Sequence, residues 1–186
     1  MVYADTTVDV IGASGSVWVG YKAVNAIDLF FETLREAEET VQISSFTMGH
    51  KTEEMDEFFG IIEELLRSPH MKISIIVNDD SPKGKKKNPS LSDYSRKRLK
   101  KLEKKYPDQF YPSYFLSKKT SSGLGKILHA KLTVVDRTTA LIGSANISKT
   151  ALESNYEIMI KITGEAAADI SAMLTRLADR IREKKV

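Results

Sequence analysis

The sequence predicts an α/β protein, a mixed sheet flanked by helices on both sides. Three observations carry that expectation. Apolar residues change repeatedly between strand-like and helix-like spacing, no apolar run is long enough to span a membrane, and 186 residues at 41% hydrophobic content suffice for one domain with a substantial core. We therefore take residues 1–186 as a single domain.

Strands are expected where β-branched and aliphatic residues concentrate between turn signals: 8–11, 17–19, 41–46, 72–77, 110–115, 126–135, 140–142 and 156–162. Helices fit between them. Ala23, Ile27, Phe30, Phe31 and Leu34 mark one helical face. Met55, Phe58, Phe59, Ile62, Leu65 and Leu66 mark a second, closed by Pro69. A third carries Leu91, Tyr94, Leu99 and Leu102, and a last helix near Glu165–Arg182 sets Ile170, Met173, Leu174, Leu177 and Ile181 on one stripe as a cover for the sheet. No internal repeat is visible.

The chemistry concentrates between His129 and Glu157. His129, Lys131 and Asp136 stand at the spacing H-x-K-x-x-x-x-D, followed by Gly143-Ser144-Ala145-Asn146 and then Glu157. Residues two apart on a strand share a face about 7 Å from one another, so His129 and Lys131 point into one pocket. Asn146 offers an amide donor and Lys131 a positive charge, a pair suited to the non-bridging oxygens of a phosphate. The small residues of the Gly143 turn allow backbone amides to approach an anion, and a short helix beginning at Ile147 adds its positive end. His129 supplies a nucleophile or proton carrier near neutral pH. An H-x-K triplet alone is cheap: His70-Met71-Lys72 has one too, but Val77 stands where an acid would be and no G-S-x-N follows, so it reads as the lead into a core strand.

The joint pattern resembles the H-x-K-x-x-x-x-D motif of the phospholipase D superfamily, with its trailing G-S-x-N and later glutamate. The resemblance implies that His129 forms a covalent phosphohistidine, that Lys131 and Asn146 hold the phosphate, and that Ser144 lends a hydroxyl. It makes Asp136 a supporting acid and Glu157, or failing it the nearby Glu153, the partner that fixes the His129 tautomer. Members of that superfamily work without a metal, and a chain with no Cys and three His offers little to hold one; no cofactor is expected. Many members carry the motif twice, whereas this chain carries it once. Because the chemistry needs two imidazoles, a two-fold homodimer with both His129 side chains at the axis is expected.

Charge bears on substrate. Residues 1–80 hold 15 acidic and 5 basic side chains, whereas residues 83–105 hold 11 basic and 2 acidic. Lys83, Lys85, Lys86 and Lys87 fall in a Gly/Pro-containing loop. Arg96, Lys97, Lys100, Lys101, Lys104 and Lys105 fall on the polar side of a helix, and Lys100, Lys101 and Lys104 are candidate contacts to a phosphate backbone; a solvated helix face is the plainer reading. Ser121-Ser122-Gly123-Leu124-Gly125-Lys126 lacks the G-K-[ST] of a phosphate loop and is expected at the site mouth. The sequence thus leads to a nuclease acting on DNA or RNA. The alternatives are a phospholipase or phosphatidyl transferase, and a nucleic-acid-binding or scaffold subunit of a larger defence or restriction complex. With no apolar or basic leader at the start and no cysteine, a cytoplasmic location without stable membrane association is expected.

Overall fold

The computed structural model describes residues 3–18, 21–80, 89–116 and 126–183. Its strands are β1 Thr6–Ser14, β2 Val24–Asn25, β3 Thr40–Ser45, β4 Lys72–Asp79, β5 Phe110–Leu116, β6 Leu132–Val135, β7 Thr139–Gly143 and β8 Glu157–Gly164. They form one sheet in the order β2-β1-β8-β7-β6-β3-β4-β5. The sheet is mixed as expected: β3, β4 and β5 run parallel, while β6, β7 and β8 join by antiparallel pairing to β3 on one side and β1 on the other. Parallel neighbours need crossovers, and helices α2 (Glu53–Leu65) and α3 (Asp93–Lys105) supply them.

Two apolar layers enclose the sheet. On one face α1 (Ala26–Arg35), α2 and α3 pack Phe30, Phe31, Phe58, Phe59 and Leu99 against Val41, Ile43, Ile73, Ile75 and Val77. On the other, α4 (Glu165–Arg182) sets Ala167, Leu174 and Ala178 over Ile76, Val134, Ala140 and Ile162. Phe58 and Phe59 are fully enclosed, and burial of each stabilises the fold by about 1.5–3 kcal/mol. Side-chain caps start two of the helices, with Thr52 accepting from Met55 N and Ser92 from Ser95 N. Among the described residues no helix is long and apolar enough to cross a membrane.

Three expected boundaries are corrected. A strand at 17–19 is absent: Ser16–Trp18 form a 3-10 turn, because Gly15 takes φ +86° and bends the chain away after Ser14, while Val19 lies outside the described residues. The first helix starts at Ala26 rather than Ala23, since Val24 and Asn25 pair with Gly12 and Ala13 as β2. The strand at 126–135 is regular only over Leu132–Val135, for its partner β3 makes its last pair at Ser44 with Leu132.

Asp136 fixes the start of β3. Its carboxylate accepts from Glu38 N and Glu39 N at 2.8 Å and from Thr40 N at 2.7 Å, three charge-assisted bonds that gather the approach to the strand. The residue itself adopts φ +49°, a left-handed conformation that asparagine also tolerates. Asp136→Asn keeps the shape but removes the charge and one acceptor, so urea unfolding should show a loss of about 2 kcal/mol. An unchanged unfolding midpoint would mean that the three amides find other partners.

Candidate active site

The strands β3, β4 and β5 all end on the same side of the sheet, and the segment ahead of β6 crosses those ends. Leu128 N donates to Asn78 Oδ1 at 3.4 Å at the end of β4, and Ser44 Oγ donates to Ala130 O at 3.2 Å at the end of β3. His129 lies between these two anchors. Its ring stands 5.1 Å from that of Phe46, which follows β3 directly, and its side chain remains exposed. A histidine fastened through its neighbours' backbone and resting on an aromatic face is positioned without being enclosed.

Lys131 completes the pair. Its Nζ is 3.0 Å from His129 Nε2, 2.9 Å from the His129 carbonyl oxygen and 5.5 Å from the centre of the Phe46 ring. An ammonium has only hydrogens to offer, so Nε2 accepts through its lone pair, and in the neutral imidazole the proton resides on Nδ1. In that tautomer Nε2 carries the lone pair that can act as nucleophile once the contact with Lys131 opens. Burial holds the Lys131 pKa below the ordinary lysine value, and the charge of Glu157 acts against that decrease.

Asn146 and Lys131 come together on the walls of one small cavity of about 20 Å³, with Gly143 and Ala145. The Asn146 amide is oriented by the backbone: Thr47 N donates to Oδ1 at 3.0 Å, which leaves the Nδ2 hydrogens as donors. The loop carrying Thr47 is itself locked, since the fully buried Met48 bridges to both Leu91 and Ile147, and Ile147 N donates to Ser45 Oγ at 3.3 Å. Lys149, three residues past Asn146, binds Glu54 at 2.6 Å and ties the Asn146 segment to the first turn of α2.

The Gly143 turn works differently from the sequence expectation. A Cβ at Gly143 would lie 2.2 Å from Ile158 O, so the glycine is required by close contact with β8. Gly143 N and Ser144 N donate to Lys131 O and Ile158 O, so neither amide is free for an anion. No helix begins at Ile147 either; a five-residue π-helix spans Thr150–Ser154. The Ser144 hydroxyl accepts from Ile158 N at 3.2 Å and keeps its own hydrogen to donate.

Glu157 begins β8 and reaches Lys131 through its field, while its Oε1 accepts from Asn155 Nδ2 at 3.3 Å; it makes no hydrogen bond to the His129 ring. Glu153 is turned elsewhere, to Lys149 at 3.5 Å. Asp136 lies past the opposite end of β6, about 15 Å along the strand from Lys131, and is not brought to the imidazole. Lys100, Lys101 and Lys104 are exposed on α3, two turns or more beyond the helix start that meets the Met48 loop, and among the described residues none of them hydrogen-bonds or ion-pairs with a site residue. Within the same run, Arg96 is committed to Asp79 at 2.5 and 2.8 Å, and Lys105 to Glu63 at 2.6 Å. Lys83, Lys85, Lys86, Lys87 and the stretch 121–125 lie outside the described residues. Phe46 and Thr47 went unmarked in the sequence, where an aromatic at the end of a predicted strand was the only sign.

The model of the family described as "Cardiolipin synthase, PLD-like domain" matches residues 30–180. Among solved structures, NucT from Helicobacter pylori is similar over 96% of both chains, at 20% identity and a TM-score of 0.64. Nuc from Salmonella typhimurium, a phospholipase D family member, is similar over 92% of this chain and 93% of its own, at 15% identity and a TM-score of 0.57. Phosphatidylserine synthase from Haemophilus influenzae Rd KW20 covers 94% of this chain with 39% of its own, at 15% identity and a TM-score of 0.60. These likenesses establish the fold. No curated protein matches the sequence.

The field of Glu157 on Lys131 gives a pH prediction. Glu157→Gln removes the charge that raises the lysine pKa, so Lys131 should lose its proton at lower pH and the alkaline limb of any pH–activity profile should move to lower pH. An alkaline limb that stays in place would separate Glu157 from Lys131.

Proposed function

The chain belongs to the phospholipase D-like family, and on that premise we propose that it is a metal-independent phosphodiesterase that cleaves DNA or RNA through a covalent histidine intermediate. The observation that carries this reading is the pairing of His129 Nε2 with Lys131 Nζ at 3.0 Å, beside an Asn146 amide whose oxygen is occupied and whose hydrogens are free.

In the first step Nε2 of His129 attacks phosphorus and the bond from phosphorus to the leaving oxygen breaks. A second imidazole, the partner subunit's His129, gives that oxygen its proton. In the second step the same partner imidazole removes a proton from water, the water oxygen bonds to phosphorus, and the phosphorus–nitrogen bond breaks. Lys131, Asn146 and the Ser144 hydroxyl donate to the non-bridging oxygens, where charge grows in both transition states. Glu157 steadies the cationic Lys131 and, in the assembled site, the protonated imidazole.

Nucleic acid is favoured over lipid as substrate by a basic chain with a pI near 8.9 and by the fold shared with NucT and Nuc. A phosphatidyl transferase is the second reading, supported by the description of the matching family and by the fold shared with a phosphatidylserine synthase. End-labelled DNA and RNA should be cut in the presence of EDTA, His129→Ala should reduce cutting by at least about 10⁴-fold, and the native mass should be twice 20.8 kDa. Full activity in His129→Ala ends the mechanism. Turnover of anionic phospholipid vesicles with no action on oligonucleotides selects the transferase.

A further inference from the structure

A second, larger concavity than the one beside Asn146 lies away from His129. A groove of about 740 Å³ runs between α4 and the β3–β4–β5 part of the sheet, with Thr40, Gln42 and Ser74 on its polar floor. Arg137, Arg176 and Arg180 line it, and none of the three has a carboxylate partner among the described residues. The carboxylate of Asp179, also on the wall, is bound to Arg182 at 3.3 Å. Four cationic side chains, Lys72 included, thus face two anionic ones.

The placement of Arg137 is a second, independent observation. It follows Asp136 in the β6–β7 connection with φ +61°, a left-handed conformation that costs a non-glycine residue about 1 kcal/mol or more. Asp136 recovers its own cost through three hydrogen bonds, whereas among the described residues Arg137 makes no hydrogen bond or ion pair in return. Glycine or asparagine would suit the turn better. A guanidinium held at some conformational cost, unpaired, and pointed at a groove with two further unpaired guanidiniums has the features of a recognition group.

We propose that this groove is an exosite for the phosphodiester backbone of the nucleic-acid substrate, engaged several nucleotides away from the bond that is cut. The inference rests on the nucleic-acid reading above and deepens it. Arg176 and Arg180 are one helical turn apart, about 6 Å, so they form a row on α4, with Arg137 on the sheet side of the groove. Guanidiniums match phosphate oxygens with paired donors, and a groove open to solvent suits a chain better than a compact ligand. Arg137 and Lys131 lie past opposite ends of β6, roughly 15 Å or more apart, so one strand occupies both sites only when it is several nucleotides long.

The test uses the full chain. Arg137→Gly removes the cation and relieves the turn, so the melting temperature should hold or rise, which separates binding from folding. Binding of a labelled single-stranded 20-mer is measured by anisotropy against salt, in a His129→Ala background that does not cut. Arg137→Gly combined with Arg176→Gln and Arg180→Gln should weaken binding about tenfold or more and reduce the slope of log K against log salt by about 2, near 0.7 for each phosphate deprived of its arginine. Hydrolysis of bis(p-nitrophenyl) phosphate, too small to reach the groove, reports the catalytic centre of the His129 protein separately. An unchanged slope and affinity in the triple variant overturns the exosite while leaving the nuclease reading intact. Failure of the His129→Ala protein to bind any oligonucleotide overturns the exosite too, and if the small diester is still cleaved by the His129 protein, it is the nucleic-acid reading that has failed. Loss of inorganic tripolyphosphate binding in the triple variant, with 20-mer binding unaffected, would reassign the groove to a small polyphosphate.

Discussion

A single backbone donor, Thr47 N, decides which way the Asn146 amide faces. With Oδ1 held at 3.0 Å, the Nδ2 hydrogens are the only ones that amide has to present, and they sit on the wall shared with Lys131. The bond survives because Met48, the next residue, is fully buried and bridges Leu91 before α3 and Ile147 after the Gly143 turn. Three segments far apart in sequence are thereby clamped at one point beyond the end of β3. Ser92 and Ser95 reinforce the clamp by donating to Gly49 O. The donors of the pocket are therefore set before any substrate arrives, and orienting them requires no reorganisation when charge develops on a phosphate.

The electrostatics of the pocket follow from its depth. His129 is exposed, Lys131 is half-buried, and Glu157 stands at the start of β8. Burial lowers the Lys131 pKa, and the neighbouring carboxylate of Glu157 opposes part of that decrease. The loop behind Asn146 has its own pair, in which the hydrogen bond from Lys149 leads in pulling Glu54 down to about 2. The Glu54 carboxylate therefore keeps its charge further into acid than an ordinary glutamate, and the tie to Lys149 with it.

Much of this was legible in the sequence, for physical reasons that differ between elements. The helices α2 and α4 announce themselves by apolar stripes of helical period, although Met173, expected on the α4 stripe, is 68% exposed, and β4 by an aliphatic run broken only by Ser74, because burial dictates those patterns. His129, Lys131, Asn146 and Glu157 were legible through the joint motif rather than through strand geometry, since His129 and Lys131 precede β6 and are brought together by the segment that leads into it. Phe46 and Thr47 were not: one acts through a ring face and the other through a backbone amide, which any residue but proline supplies. The Val17 segment misled because β-branched residues favour extended structure locally, while Gly15 at positive φ and the hydrogen bond from Ser14 Oγ to Asn155 O redirect the chain. The exposed arginine groove could not be read either, since Arg137, Arg176 and Arg180 meet only through the fold.

In the mechanism proposed above, the number of imidazoles required would make one chain half of a site. Once His129 attacks, the leaving oxygen needs a proton from a group that holds one at neutral pH and releases it readily. Lys131 is occupied with charge stabilisation and, even with its pKa lowered by burial, would lose its role by giving up its proton. The Ser144 hydroxyl is too weak an acid, and Glu157 makes no hydrogen bond to the His129 ring. His50 and His70 are not among the groups that contact His129. A second His129 satisfies the requirement without a new residue, and two-fold symmetry is the simplest way to supply it. The surface beside Glu157 suits that arrangement: Tyr156 is 67% exposed and Ile158 is 40% exposed, apolar area left open at the rim of a polar pocket. In such a dimer, with both rings at one axis, each imidazole would keep a distinct role, one bonded to phosphorus and the other carrying the proton, although the two chains would be identical.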